Sequence, residues 1–354
     1  MMRVRGGREA RGNISVPVLA AVYIGTVVGA GFASGQEILQ FFGSHGPRGL
    51  AALAVATASL GLFGYLLLRA SARLRAESHA VVLRYVAGPV VGRVIDLVLT
   101  FFLFGGTAAM LAGAGATLQQ EFALPYWIGL VGMALATVLT VLFGIGAVVR
   151  SVSVIVPFLL AAVLAVATAT VVARPPDLTF TAPARAAVGH WAVSGVAYGS
   201  YNLILSASVL VPIARLTPRA RLGPGAFLGA LGLGLGALAV NLAILSHAPD
   251  SAAAEVPMVL AARLLSPAAG LAYSVVLLAE VYTTAVGSLF GFANRLVGEE
   301  SPYFKALVIG GAAAATVAGA AGFSTIVGTL YPAVGYAGFL LLGALALAWL
   351  KGRL

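Results

Sequence analysis

Long apolar runs alternate along this chain with short polar connections that carry most of its arginines. A helix needs about 20 apolar residues to cross a bilayer. On that measure the runs predict ten spans, near 14–43, 48–70, 90–120, 126–145, 149–173, 186–212, 222–246, 268–294, 304–321 and 325–350. The runs are continuous and do not alternate residue by residue, so the predicted class is an all-α membrane protein, not a barrel. Residues 1–13 read as a polar tail, 14–173 as a first group of five spans and 186–350 as a second. The apolar run after the first arginines is longer than a signal-peptide core and is read as a retained span.

The pattern breaks inside the first run. The chain is apolar from Ile14 to Val28, and then Gly29-Ala30-Gly31-Phe32-Ala33-Ser34-Gly35-Gln36-Glu37 intervenes before Ile38. Glycine is unfavourable within a helix. Ser34 followed three residues later by Glu37 is the S-x-x-E pattern of a helix start. The prediction is one span made of two half-helices with an open turn between them. Open backbone at membrane depth is tolerated only where protein buries it or it lines a watery cavity. Discontinuous helices of this kind form the binding sites of secondary transporters. Val28, Gly29, Ala30, Gly31, Ser34 and Glu37 are therefore candidate substrate-binding positions.

The sixth run repeats the theme at a similar depth, with Ala197-Tyr198-Gly199-Ser200-Tyr201-Asn202 interrupting apolar sequence. Tyr198, Gly199, Tyr201 and Asn202 join the candidate set. Spans 1 and 6 would enter from opposite sides, which predicts a five-plus-five inverted repeat with both broken spans near the midplane. The competing reading of each Gly/Ser cluster is close packing between helices.

Charge supports this arrangement. With the N-terminus inside, 17 of the 21 Lys and Arg residues fall on the inner side, and only Arg48, Arg174, Arg185 and Arg263 fall outside. Such a bias predicts both termini in the cytoplasm. The net charge of +10 is thus a matter of topology, and no nucleic-acid partner is expected. Charged residues make up 9% of the chain, against about 25% in soluble domains. The absence of cysteine excludes disulfides and thiolate chemistry. There is no phosphate-binding loop, no metal-ligand spacing among the histidines and no Ser/His/Asp grouping. An enzyme is not expected, and neither is a cofactor beyond an ion. An ion channel or substrate-gated pore is the alternative class, against which stands the lack of a ring of like charges. An intramembrane enzyme using Glu37 or Glu280 is a second alternative, against which stands the lack of nucleophile, metal and phosphate motifs.

Span 8 carries Glu280, Thr283, Thr284, Gly287, Ser288 and Gly291 on one helical stripe. A carboxylate within the membrane is costly unless neutralised or partnered. The stripe reads either as a cation or proton site or as a neutral Glu bonding two helices. Glu37 is likewise open between a capping role and a ligand for a proton or an amine. Asp96 is expected to take an ion pair or interfacial position beside Arg93. Tyr23 and Tyr331 are further candidates for a pocket wall. The segment 247–266 reads as an external loop with a short surface helix, either a lid or a plain connector.

Two stretches resemble a known family. Tyr23-Ile-Gly-Thr-Val-Val-Gly-Ala-Gly-Phe-Ala-Ser-Gly-Gln-Glu-Ile-Leu-Gln-Phe-Phe42 and Ala279-Glu-Val-Tyr-Thr-Thr-Ala-Val-Gly287 are similar to the YkvI-type bacterial membrane proteins. That family is placed near the amino acid/polyamine/organocation superfamily. The resemblance implies a bacterial inner membrane, a LeuT-like fold and transport of a small polar solute such as an amino acid. It also implies a sodium site made by the carbonyls of Gly25 and Val28 with Thr283 or Thr284. Thr26 stands where sodium-coupled relatives of that fold often carry Asn, which speaks against a second sodium. Glu280 is an extra charge, which leaves proton coupling open. Membrane lipid and a small-molecule substrate are the expected partners, and no oligomeric state follows.

Overall fold

The computed structural model describes residues 14–143 and 145–354, and the side chains of 145–157 lie outside the described set. The predicted N-terminal tail and Arg150 therefore fall outside it too. The described residues fold as helices: α1 (Val16–Val27), α2 (Ala30–Ser34), α3 (Gln36–Phe41), α4 (Pro47–Leu74), α5 (His79–Phe122), α6 (Tyr126–Leu142), α7 (Ile145–Ala173), α8 (Trp191–Leu216), α9 (Arg219–Ser246), α10 (Asp250–Ala253), α11 (Pro257–Leu265), α12 (Pro267–Val297), α13 (Phe304–Gly319) and α14 (Phe323–Leu350). Six of them, α4, α5, α8, α9, α12 and α14, are long and apolar enough to cross a membrane. The remaining predicted spans coincide with the shorter apolar helices α1, α6 and α13 and with α7, of which Phe158–Ala173 is the apolar part among the described residues.

The first run is divided into three pieces, not two. The amide of Val28 closes the last turn of α1 on the Ile24 carbonyl at 2.9 Å, and Val28 and Gly29 then turn extended. Helical bonding resumes with Ala33 N–H donating to Gly29 O. A second interruption falls at Gly35, whose φ of +79° is left-handed and suits a residue without Cβ. Ser34 does not start the second piece. It closes α2: its hydroxyl donates to Gly31 O at 2.7 Å and accepts from Gln36 N–H at 3.1 Å. The expected capping pair of Ser34 and Glu37 does not form, because the left-handed Gly35 occupies the cap position and the Glu37 side chain bonds to another helix.

Span 6 corrects the sequence reading. α8 runs unbroken from Trp191 to Leu216. Its polar residues return to carbonyls of their own helix: Asn202 Nδ2 donates to Tyr198 O at 3.0 Å and Ser206 Oγ to Asn202 O at 2.6 Å. Gly199 serves close packing, since a Cβ there would lie 2.9 Å from Ser59 Cβ on α4. A lone glycine at a helix contact lets two backbones approach without opening either. Ser200 likewise bridges α8 to α14 through Gly335 O.

The 247–266 segment is also more than a surface connector. It forms α10 and α11, and Met258, Val259, Ala261 and Ala262 are buried. Glu255 accepts from Ser324 N–H at 2.8 Å and Ser324 Oγ at 2.7 Å. Gln120 and Val256 exchange reciprocal bonds between α5 and this segment. Met258 packs beside Gly35, so the segment covers the broken first span on the arginine-poor face.

Candidate functional site

The break in span 1 positions Glu37. It lies on α3, buried with 3% of its surface exposed. Tyr198 Oη donates to Glu37 Oε1 at 3.1 Å. Glu37 Oε2 lies against Gly31: a Cβ on Gly31 would stand 2.5 Å from that oxygen and 3.0 Å from Tyr331 Oη. Three helical elements thus bring a carboxylate and two tyrosines together over the start of α2. Glu37 forms no ion pair with any Lys, Arg or His among the described residues.

Aromatic rings enclose this carboxylate. Tyr198 and Tyr201 meet edge-on at 5.4 Å, while Tyr201 and Tyr331 at 5.3 Å and Phe42 and Tyr198 at 4.8 Å are tilted. Phe102 of α5 adds a contact with Tyr331 at 5.5 Å. The Tyr201 hydroxyl is buried without a hydrogen-bond partner. A negative group with π faces around it is chemistry suited to an organic cation.

The candidates are not all equivalent. Val28 and Gly29 form the break and Ala30 and Gly31 open α2, with Val28, Ala30 and Gly31 buried. Tyr198 and Tyr201 reach the Glu37 region, whereas Gly199 and Asn202 serve helix packing and backbone capping. Tyr23 is structural, donating to Leu60 O at 2.9 Å between α1 and α4. Tyr273 was not singled out by the sequence, yet its hydroxyl donates to Ala33 O at 2.5 Å and ties α12 to α2. No local signal marks it, because its partner lies 240 positions away.

On α12, Glu280 is buried. Thr284 Oγ1 donates to Glu280 Oε1 at a long 3.4 Å, and Thr283 Oγ1 donates to Glu280 O at 3.0 Å. Glu280 Oε2 is buried without a partner. Thr26 bonds to its own helix at Tyr23 O. Gly25 and Val28 stand in the last turn of α1, where carbonyls lack intrahelical partners. Carbonyl and hydroxyl oxygens of this kind suit a hard cation.

At the arginine-rich face, Asp96 pairs with Arg295 of α12, not with Arg93. Arg295 Nε also donates to Thr100 Oγ1 at 3.0 Å, and His79 Nε2 lies 3.4 Å from Asp96. The sequence-adjacent arginine loses this contest because Asp96 points across to the end of span 8.

The architecture is shared with solved transporters. The crystal structure of MhsT in complex with L-phenylalanine superposes with a TM-score of 0.62 at 17% identity, covering 97% of this chain and 90% of that one. Mhp1, a nucleobase-cation-symport-1 family transporter in a closed conformation with bromovinylhydantoin bound, gives 0.56 at 14% identity over 88% and 72%. A Na+-coupled sialic acid symporter in a substrate-bound outward-open state gives 0.56 at 13% over the same shares. At such identities the likeness defines the fold, which is the LeuT-like fold of membrane transporters.

In sequence, the chain is 31% identical over 346 residues to the uncharacterized membrane protein YkvI of Bacillus subtilis (strain 168), covering 95% of this chain and 96% of that protein. It is 26% identical over 275 residues to the uncharacterized protein YyaD of the same strain, over 77% and 79%. The chain belongs to the YkvI family and is a multi-pass membrane protein. No family model matches it.

Proposed function

We propose that this protein is a secondary active transporter for a small polar organic solute, an amino acid or a related amine, moved by alternating access. The observation that carries the reading is Glu37. It is a buried carboxylate at the interruption of span 1, bonded to Tyr198 and without a cationic side-chain partner among the described residues. A carboxylate buried without compensation is costly, and a cationic substrate group or a proton would relieve that cost. Tyr198, Tyr201 and Tyr331 would supply hydroxyls and ring faces to an amine. The backbone of Val28 to Gly31 would supply open polar groups.

Coupling to a sodium ion or a proton belongs to the same reading. The ion would be held by the carbonyls of Gly25 and Val28 with Thr283 or Thr284, and Glu280 would act as its counter-charge. The LeuT-like architecture supports this assignment, with 14–173 and 186–350 as inverted repeats. The arginine-rich face and both termini would be cytoplasmic in a bacterial inner membrane. The protein would act as a carrier, not an enzyme.

The test is counterflow in proteoliposomes. Vesicles loaded with an unlabelled amino acid or amine should accumulate the labelled form transiently, and Glu37→Gln should abolish that accumulation. Uptake that continues without a trans-side solute and shows no saturation would indicate a pore and overturn the reading.

A further inference from the structure

The helix pair α4 and α9 carries two neighbouring cavities away from the Glu37 region. The first opens at the arginine-rich face, holds about 280 Å³ and is lined by Tyr65, Arg69, Arg73, Arg219, Leu222 and the last residue, Leu354, whose terminal carboxylate forms no ion pair with the three arginines. Among the described residues, none of its three guanidinium groups forms an ion pair with a carboxylate. Arg69 has a long contact of 3.4 Å to the Tyr65 hydroxyl. Three cations around one small space repel one another unless an anion joins them, and guanidinium forks match phosphate oxygens in geometry.

The second cavity lies further along the same two helices. It holds about 430 Å³, and its wall, apolar apart from Thr57, includes Ala54, Ala58, Phe227, Leu231 and Leu235. Phe227, Leu231 and Leu235 are each more than half exposed, so the groove faces outward toward the surrounding lipid. The two cavities share a wall. The Phe227 ring lies 6.4 Å from the Tyr65 ring, with Tyr65 lining the basic cavity and Phe227 the apolar one. From Arg69 to Ala54 is about 22 Å along α4 at about 1.5 Å per residue. That exceeds the depth of one leaflet's hydrocarbon, about half of roughly 30 Å.

We infer that the α4/α9 seam is a binding site for an anionic phospholipid. The phosphate would sit among Arg69, Arg73 and Arg219, and one acyl chain would run past Phe227 into the groove. Charge alone would serve any phosphate. The continuation of the basic cavity into an outward-facing apolar groove on the same helix pair is what selects a lipid over a free anion. The site is independent of the transport reading, because no residue lining either cavity belongs to the Glu37 cluster or the Glu280 stripe.

Native mass spectrometry and thermal unfolding of delipidated protein test it, with dioleoylphosphatidylglycerol, dioleoylphosphatidylcholine and inorganic phosphate as probes. Phosphatidylglycerol should bind about a hundredfold more tightly than phosphatidylcholine, as three arginines near a membrane surface imply, and should raise the unfolding midpoint. The triple variant Arg69→Gln/Arg73→Gln/Arg219→Gln should lose that preference, while Arg48→Gln on the opposite face should keep it. Ala54→Phe with Ala58→Phe, both lipid-facing, should weaken phosphatidylglycerol binding by filling the groove. Equal binding of the two lipids, or a triple variant that retains the preference, overturns the site. Inorganic phosphate protecting as well as the lipid, or no effect of the groove-filling pair, overturns the lipid assignment in favour of a free anion.

Discussion

The hydroxyl of Tyr198 donates to Glu37 Oε1 at 3.1 Å, joining α8 to the segment that follows the break in span 1 across 161 positions of sequence. This bond links two elements whose relative movement alternating access would require. Tyr198→Phe removes the donor and leaves a buried carboxylate oxygen unpaired, at a cost of about 1–3 kcal/mol. A lower unfolding midpoint, together with slower counterflow, is the expected result. A variant with the parent's midpoint and rate would show that the bond contributes to neither.

Gly31 and Gly29 separate space from backbone shape. A methyl on Gly31 would meet Glu37 Oε2 at 2.5 Å and Tyr331 Oη at 3.0 Å, whereas one on Gly29 meets nothing within 4 Å. Gly29 also has an extended backbone open to any residue. Gly31→Ala should therefore impair counterflow by roughly tenfold or more, since the added methyl overpacks the site and forces the Glu37 carboxylate and the Tyr331 hydroxyl out of position. Gly29→Ala should stay near the parent. Equal effects of the two, measured as initial rates, would refute the steric argument.

Sodium dependence tests the ion site. If Gly25 and Val28 share an ion with α12, sodium should raise the unfolding midpoint of the parent by mass action. Thr283→Ala with Thr284→Ala should remove the response. A double variant that responds to sodium like the parent would place the ion elsewhere.

Glu280→Gln distinguishes two couplings. Loss of pH-gradient-driven uptake with solute exchange intact would make Glu280 a proton carrier. Weakened sodium or amine binding with pH dependence unchanged would make it a counter-charge. The counter-charge role is expected, because Thr284 Oγ1 is already oriented to Glu280 Oε1 one turn away. Parent-like behaviour in all these measurements would leave Glu280 a neutral group between helices.

Asp96 and Arg295 offer a test on the arginine-rich face. Asp96→Asn removes the carboxylate charge and leaves half-buried Arg295 with neutral partners only, Thr100 and backbone among them. If the pair closes that side of the protein, transport should lose its rate while solute affinity at equilibrium stays within a few-fold. Unchanged rate and midpoint would mark the pair as ornamental, as many exposed pairs are.

The class of this protein was legible from its sequence because hydrocarbon imposes a coarse rule: spans must be long, apolar and helical. The break at Val28 and Gly29 was legible too, since clustered glycine weakens a helix wherever it lies. The YkvI family was legible in the motif from Tyr23 to Phe42. Tertiary packing decided the rest. Gly199 could not be told from a helix breaker until its contact with Ser59 was seen, and α8 proved continuous. Asp96 sits beside Arg93 in sequence but pairs with Arg295. Glu37 carries the spacing of a capping residue, yet Gly35 takes the cap position and Tyr198 takes the carboxylate. A local pattern states which bonds a residue is able to make, and only the approach of distant helices determines which of them form.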